Sequence, residues 1–306
     1  MPNLLRSISL ALALTAALSA CESLRSTSVP LRTIERPAQC GTGARPDTLL
    51  VLLPGSSSSP EEFEQEGFVQ TIRRNGLAAD VVLVDAHPGY YFHKTIVERL
   101  RADVVAPALA RGYRHVWLVG ISIGGLGTML YAQMRQQDIA GIVALAPYLG
   151  TRLAAQDIEN AGGLSQWRAP PFSVWTDLDA GLWRWLQMQT SGAPVSGDKT
   201  PLFLGYGLSD RFVFNARLLD RALPRDRVFT AKGATTGRYG TIYGSRWLHS
   251  CRSSTGLTAC ARAPARRARQ YRRPDAVPSD CFLPIRDGHA APGAWPCGFP
   301  ASGASC

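Results

Sequence analysis

Six short apolar runs recur along the first 230 residues, and several of the stretches between them carry helical periodicity. The first run, Thr48-Leu49-Leu50-Val51-Leu52-Leu53, is unbroken and stops at Pro54-Gly55. A strand with one wet face alternates apolar and polar residues, so an unbroken run needs cover on both faces. Asp80-Val81-Val82-Leu83-Val84-Asp85, His115-Val116-Trp117-Leu118-Val119-Gly120 and Gly141-Ile142-Val143-Ala144-Leu145 read the same way. Pro201-Leu202-Phe203-Leu204-Gly205 and Arg227-Val228-Phe229-Thr230 complete the set, with helical patterns over 95–110 and 123–136. This alternation predicts an α/β fold, a doubly wound and mostly parallel sheet with short right-handed crossovers. Functional groups on such a sheet gather at the carboxyl ends of the strands. A chain of 306 residues supplies ample core for one such domain, and no internal repeat interrupts the pattern.

The formal charge of +10 suggests a nucleic-acid surface until it is located. Residues 233–306 hold ten Arg, no Lys and three Asp, a net +7, which leaves only +3 for the rest of the chain. Five of the seven cysteines (Cys251, Cys260, Cys281, Cys297 and Cys306) lie in the same tail, against Cys21 and Cys40 upstream. A disulfide-stapled appendage would fit an oxidising compartment, but the segment lacks matching turn and strand signals. It also lacks helical amphipathicity, so nucleic-acid binding is not expected.

The amino terminus reads as an address. Arg6 closes a short polar start and an apolar run of small residues fills 8–18, too short to span a bilayer comfortably. Leu18-Ser19-Ala20-Cys21 follows at once and resembles the bacterial lipobox, in which the cysteine is lipidated and becomes the new amino terminus. The expected division is a signal peptide over 1–20, then lipidated Cys21 with a polar, Pro-containing tether to 47. Glu22 at the next position implies, by the same resemblance, export to the outer membrane facing the periplasm.

Gly120-Ile121-Ser122-Ile123-Gly124 fits G-x-S-x-G directly after one expected strand and directly before an expected helix. The serine of such a motif sits on a strained turn, where side chains two residues to either side would collide with neighbouring backbone. The helix behind it aims its amino-terminal amides at developing negative charge. The stretch from about 48 to 148 resembles the α/β-hydrolases of the esterase and lipase kind. The resemblance rests on the Pro54-Gly55 turn, this elbow, and Leu145-Ala146-Pro147-Tyr148 after the next strand. It implies an acyl-enzyme on Ser122 and an oxyanion hole from the Ile123 amide with an amide of Gly55 or Ser56. Two such donors are worth on the order of 3 kcal/mol each to the transition state. The Ser-rich loop from Gly55 also reads as a plain turn.

In that family the triad acid follows the next strand, which points to Asp210 in Gly205-Tyr206-Gly207-Leu208-Ser209-Asp210. A turn-capping aspartate is the alternative. An insertion over about 150–199 reads as a cap with Trp167, Trp175, Trp183 and Trp185, lining a pocket or packing a helix onto the body. Asp177 and Asp179 within it are poorer acids. His87, beside Tyr90 and Tyr91, precedes Ser122 and reads as a loop histidine with a local hydrogen bond.

The triad base is missing where the family places it. After Val228-Phe229-Thr230 the chain reads Ala231-Lys232-Gly233-Ala234-Thr235-Thr236-Gly237, and His249 comes later without a supporting motif. Codons for Gly233 onward, read one frame away, can encode Gly-His-Asp-Trp, and Tyr239-Gly240 and Tyr243-Gly244 then permit only tryptophan or arginine. That resembles the histidine loop of esterase-like hydrolases. The periodicity also stops here, and composition shifts to Arg, Ala, Pro, Gly and Cys, as out-of-frame GC-rich DNA would give.

The sequence thus reads as a hydrolase domain over 48–232 followed by a low-order tail over 233–306, with a genuine basic appendage as the alternative. The expected chemistry is hydrolysis of a small-molecule acyl ester through Ser122, Asp210 and a histidine, of which His249 is the remaining candidate in this frame. No metal-ligand spacing or dinucleotide fingerprint is present, so no cofactor is expected. The membrane is the one expected partner besides substrate, and no obligate protein partner is implied. The competing reading is an inactive surface lipoprotein that keeps the fold for binding.

Overall fold

The computed structural model describes residues 25–39, 45–171, 177–192 and 199–233. The expectations for the signal peptide, Cys21, Trp175, His249 and the tail after Gly233 fall outside those residues. Seven strands make one sheet: β1 (Thr33–Arg36), β2 (Thr48–Leu53), β3 (Asp80–Val84), β4 (His115–Ile121), β5 (Gly141–Leu145), β6 (Leu202–Gly207) and β7 (Val228–Ala231). Their order is β1-β3-β2-β4-β5-β6-β7, with β2 to β7 parallel and β1 antiparallel to β3. The helices are α1 (Glu62–Gln65), α2 (Phe68–Arg74), α3 (Pro88–Phe92), α4 (Ile96–Leu100), α5 (Ala106–Ala110), α6 (Ile123–Arg135), α7 (Arg152–Asn160), α8 (Leu178–Thr190) and α9 (Val213–Asp220).

Successive side chains of each central strand go to opposite faces, and both faces are covered. Leu49, Val51 and Leu53 join Leu118, Ile142, Leu204 and the α6 residues Leu126, Met129 and Leu130 in one core. Leu50 and Leu52 join Trp117, Val119, Val143, Phe203 and the α2 residues Phe68, Val69 and Ile72 in the other. That two-sided burial is why β2 carries no polar residue beyond its first position. The helical pattern over 95–110 resolves into α4, a π turn at Arg101–Val105, and α5. Pro107 has no N–H to offer the carbonyl four residues back, and the wider turn before it absorbs the misfit.

The amino-terminal segment departs from a simple tether. Residues 33–36 pair with β3 in the register Thr33↔Val84 to Arg36↔Val81. The segment before them is also fastened: Arg25 pairs with Asp85, the Ser28 N–H donates to Tyr90 Oη at 3.1 Å, and the Leu31 N–H donates to Asp103 at 2.8 Å. The sheet therefore starts 15 residues before the expected boundary at Thr48.

Strand order reverses at the centre of the sheet. The chain leaves β2 on the face of α2, turns back through β3, and leaves β4 through α6 on the other face. The crevice between the carboxyl ends of β2 and β4 is the topological switch point, the usual place for a ligand in this architecture.

Candidate active site

Two loops meet at that crevice, and each follows a strand named in the sequence reading. Ser122 stands between β4 and α6 with φ 54° and ψ −115°, a backbone region that residues with a Cβ rarely occupy. Its N–H donates to the Leu145 carbonyl at 3.0 Å, and its own carbonyl accepts from Tyr148 at 3.0 Å and Leu126 at 3.2 Å. Those bonds on both sides of the residue hold a conformation that it would otherwise leave.

The glycines explain how the turn can be so tight. A Cβ on Gly120 would lie 2.2 Å from the Gly124 carbonyl oxygen, and one on Gly124 would lie 2.3 Å from the Leu53 carbonyl oxygen. The strained serine and the bare glycines are the geometry that the G-x-S-x-G pattern predicts. Because Ser122 pays a backbone penalty, Ser122→Gly should unfold at higher denaturant than Ser122→Ala, by about 1 kcal/mol. Equal midpoints in urea titrations would show that the turn is relaxed.

The other loop brings Gly55 within reach. A Cβ built on Gly55 would be 3.8 Å from Ser122 Cβ, which places this backbone directly against the serine. The loop closes as a turn, with the Ser58 N–H on the Gly55 carbonyl at 3.3 Å, and the Ser59 N–H donates to Glu62 Oε1 at 3.0 Å. Ile123 is the first residue of α6, so its N–H has no acceptor within the helix. The Gly55 backbone and the first residue of α6 thus both adjoin Ser122.

Asp210 sits beyond the carboxyl end of β6, buried to 9% exposure. Its Oδ1 accepts from the Phe212 N–H at 2.8 Å, so the turn-capping role raised for it is real. Phe212 packs edge-on against Tyr148, ring centroids 5.7 Å apart, and Tyr148 is the residue that donates to the Ser122 carbonyl. A continuous chain of contacts therefore links the aspartate loop to the serine turn. The strand feeding this loop runs to Gly207, two residues past expectation, because Tyr206 and Gly207 pair with Thr230 and Ala231 of β7.

The end of β7 joins the same cluster. The Leu208 N–H donates to the Ala231 carbonyl at 2.9 Å, and the Ser209 N–H donates to the Gly233 carbonyl at 3.0 Å. The chain therefore leaves the described residues immediately beside Asp210. Of the described histidines, His115 opens β4 at the amino edge and His93 is the residue just after α3. His87 caps α3, its Nδ1 accepting from the Gly89 N–H at 3.2 Å, the local bond expected of it.

The three described tryptophans of the insertion pack into the core, and Trp167 also lines the cleft between α8 and α9. Trp183, Trp185 and Trp167 are 0%, 4% and 8% exposed and belong to the main core. Indole periodicity alone could not separate this from a pocket wall. Asp177 caps α8 through the Ala180 N–H at 3.0 Å, and Asp179 accepts from the Thr151 N–H at 2.8 Å, so both are occupied structurally. A cleft of about 840 Å³ lies between α8, α9 and the loop after α7, and includes none of Ser122, Ile123, Gly55, Ser56 or Asp210. Tyr91, whose hydroxyl approaches Gly127 of α6, has its ionisation pushed far up by burial and stays neutral. Among the described residues no cluster of His, Cys, Asp and Glu is suited to a metal ion, and no helix is long and apolar enough to cross a membrane.

The strand order, the antiparallel edge strand and the serine turn define an α/β-hydrolase fold. No family model and no curated protein matches the chain. Among solved structures it is similar to Est1E from Butyrivibrio proteoclasticus, seen with ferulic acid bound, at 16% identity and a TM-score of 0.47, covering 73% of this chain and 96% of that one. It is also similar to the S-formylglutathione hydrolase FrmB from Staphylococcus aureus, at 13% identity and a TM-score of 0.46, covering 74% and 97%. A third is a monoacylglycerol lipase from Paleococcus ferrophilus, at 17% identity and a TM-score of 0.42, covering 72% and 98%.

Proposed function

We propose that this chain is built to hydrolyse carboxylic esters through an acyl-enzyme on Ser122. The observation that carries the reading is the strained serine at the switch point, with the Gly55 backbone against it and the Asp210 loop linked to it by Tyr148 and Phe212. Ser122 Oγ would attack the ester carbonyl, its proton passing to a histidine oriented by Asp210. The amides of Ile123 and of Gly55 or Ser56 would hold the oxyanion. The histidine would return the proton to the leaving alcohol, and water would then release the acid by the same route. A fluorophosphonate probe tests this, because it couples only to an activated serine. Labelling of the chain with the alternative frame restored, and none of its Ser122→Ala variant, is the expected result, and equal labelling of both would end the reading.

The same proposal includes export and lipid attachment at Cys21, which the mass of the mature chain checks directly. It also includes a shifted reading frame after Gly233, which DNA sequencing across the codons for Phe229 to Tyr243 tests. One observation favours a second reading. Gly233 bonds to Ser209, the neighbour of Asp210, without a histidine in Ala231-Lys232-Gly233, as a catalytically silent relative would. An unlabelled but folded intact chain would select it.

A further inference from the structure

The four most exposed large apolar residues among those described all lie at one end of the sheet. They are Leu153 at 80%, Val29 at 73%, Phe92 at 68% and Leu208 at 44%. Leu208 directly follows β6, Leu153 is in the first turn of α7 after β5, and Phe92 ends α3 after β3. Val29 precedes β1, whose first residue Thr33 pairs with Val84, the last residue of β3. All four therefore belong to the carboxyl edge, the edge that carries Ser122. Met134, Met188 and Leu109, less exposed at 41%, 39% and 38%, lie in the last turns of helices that lead back to the amino edge.

The amino-terminal segment reaches the same edge. Arg25 pairs with Asp85, the residue after β3, and Ser28 bonds to Tyr90 of α3. Only four peptide steps separate Arg25 from Cys21, a reach of about 14 Å at full extension. An acyl chain on Cys21 would bring the bilayer within reach of this edge.

We propose that the carboxyl edge of the sheet, with Val29, Phe92, Leu153 and Leu208 at its surface, lies against the lipid bilayer and turns Ser122 toward it. The choice of a lipid occupant rests on the reading of Cys21 as an anchor, whereas the asymmetry of apolar exposure is independent of it. Scattered single apolar residues need no explanation, but their concentration along one edge of the sheet does. The orientation also narrows the substrate to esters presented by the leaflet, ahead of esters diffusing in water.

Backbone hydrogen exchange of the mature full chain on phosphatidylcholine–phosphatidylglycerol vesicles tests the placement, with Cys21→Ser chain in buffer as reference. Amides of 28–32, 90–94, 152–155 and 207–209 should exchange at least fivefold more slowly on vesicles, while 109–112 and 133–136 change less than twofold. Equal slowing at both edges, slowing at the amino edge, or no slowing overturns the proposal. The combined Phe92→Glu and Leu153→Glu chain, both sites being exposed, should melt like the parent yet lose the protection. Retained protection in that chain also overturns it. If intact mass shows Cys21 unmodified, the anchor reading falls by itself. The unmodified chain mixed with the same vesicles then decides the face: protection of the same segments keeps it, and unchanged exchange removes it.

Discussion

A chain whose codons after Gly233 are read in the alternative frame, so that a histidine follows β7, should hydrolyse a short acyl ester about 10⁴-fold faster than the chain as written. The magnitude is that of supplying a base to an otherwise prepared serine. The position is what makes the effect large. The Ser209 N–H donates to the Gly233 carbonyl at 3.0 Å, so the last described residue after β7 is held one residue from Asp210. Steady-state kinetics of the two chains, each compared with its own Ser122→Ala variant, measure it. A restored chain no faster than the written one would mean that the aspartate loop and serine turn do not form a working set. His249→Ala in the written chain supplies the complementary check. A full loss of whatever ester hydrolysis remains would assign the base to His249 and remove the need for a second frame.

Gly124→Ala is expected to lower the unfolding free energy by about 3 kcal/mol or more, measured as a shift in denaturant midpoint. The added methyl would meet the carbonyl oxygens of Leu53 and Pro54 at 2.3 and 2.6 Å. Neither is the tip of a flexible side chain, so relief requires α6 to move off β2. That movement would also carry the serine turn away from Gly55, and probe labelling should fall together with stability. Gly192→Ala is the control. It meets nothing within 4 Å, and its midpoint should stay within about 0.5 kcal/mol of the parent. A tolerated Gly124→Ala would show that the turn has room the structure does not contain.

The parts of this protein that could be read from sequence are those where one physical constraint dominates. Burial on both faces admits almost nothing but apolar residues, so β2 and β5 are legible to the residue. The serine turn is legible because backbone contact leaves room only for glycine at 120 and 124. β1 is different. Thr33-Ile34-Glu35-Arg36 is half-exposed along the sheet edge, with one aliphatic residue, and its strand state is set by hydrogen bonds to β3. No local pattern encodes a partner that arrives 47 residues later, from Thr33 to Asp80. Gly205-Tyr206-Gly207 reads as a loop for the related reason that glycine is a weak strand former. Pairing with β7 overrides it. The cap tryptophans show a third limit, since a buried indole in a core and one in a pocket wall leave the same mark in a sequence.

The antiparallel edge strand also determines how the molecule bears a mechanical load. A pull on the amino terminus reaches β1 through Thr33 and runs along the strand axis, outward past the carboxyl edge. All four residue pairs from Thr33↔Val84 to Arg36↔Val81 then resist together in shear, where a strand entering from the opposite end would peel open one pair at a time. Arg25 on Asp85 and Leu31 on Asp103 take up the force before it reaches the ladder. Such a load would thus be borne at the rim of the sheet, away from the serine turn between β4 and α6.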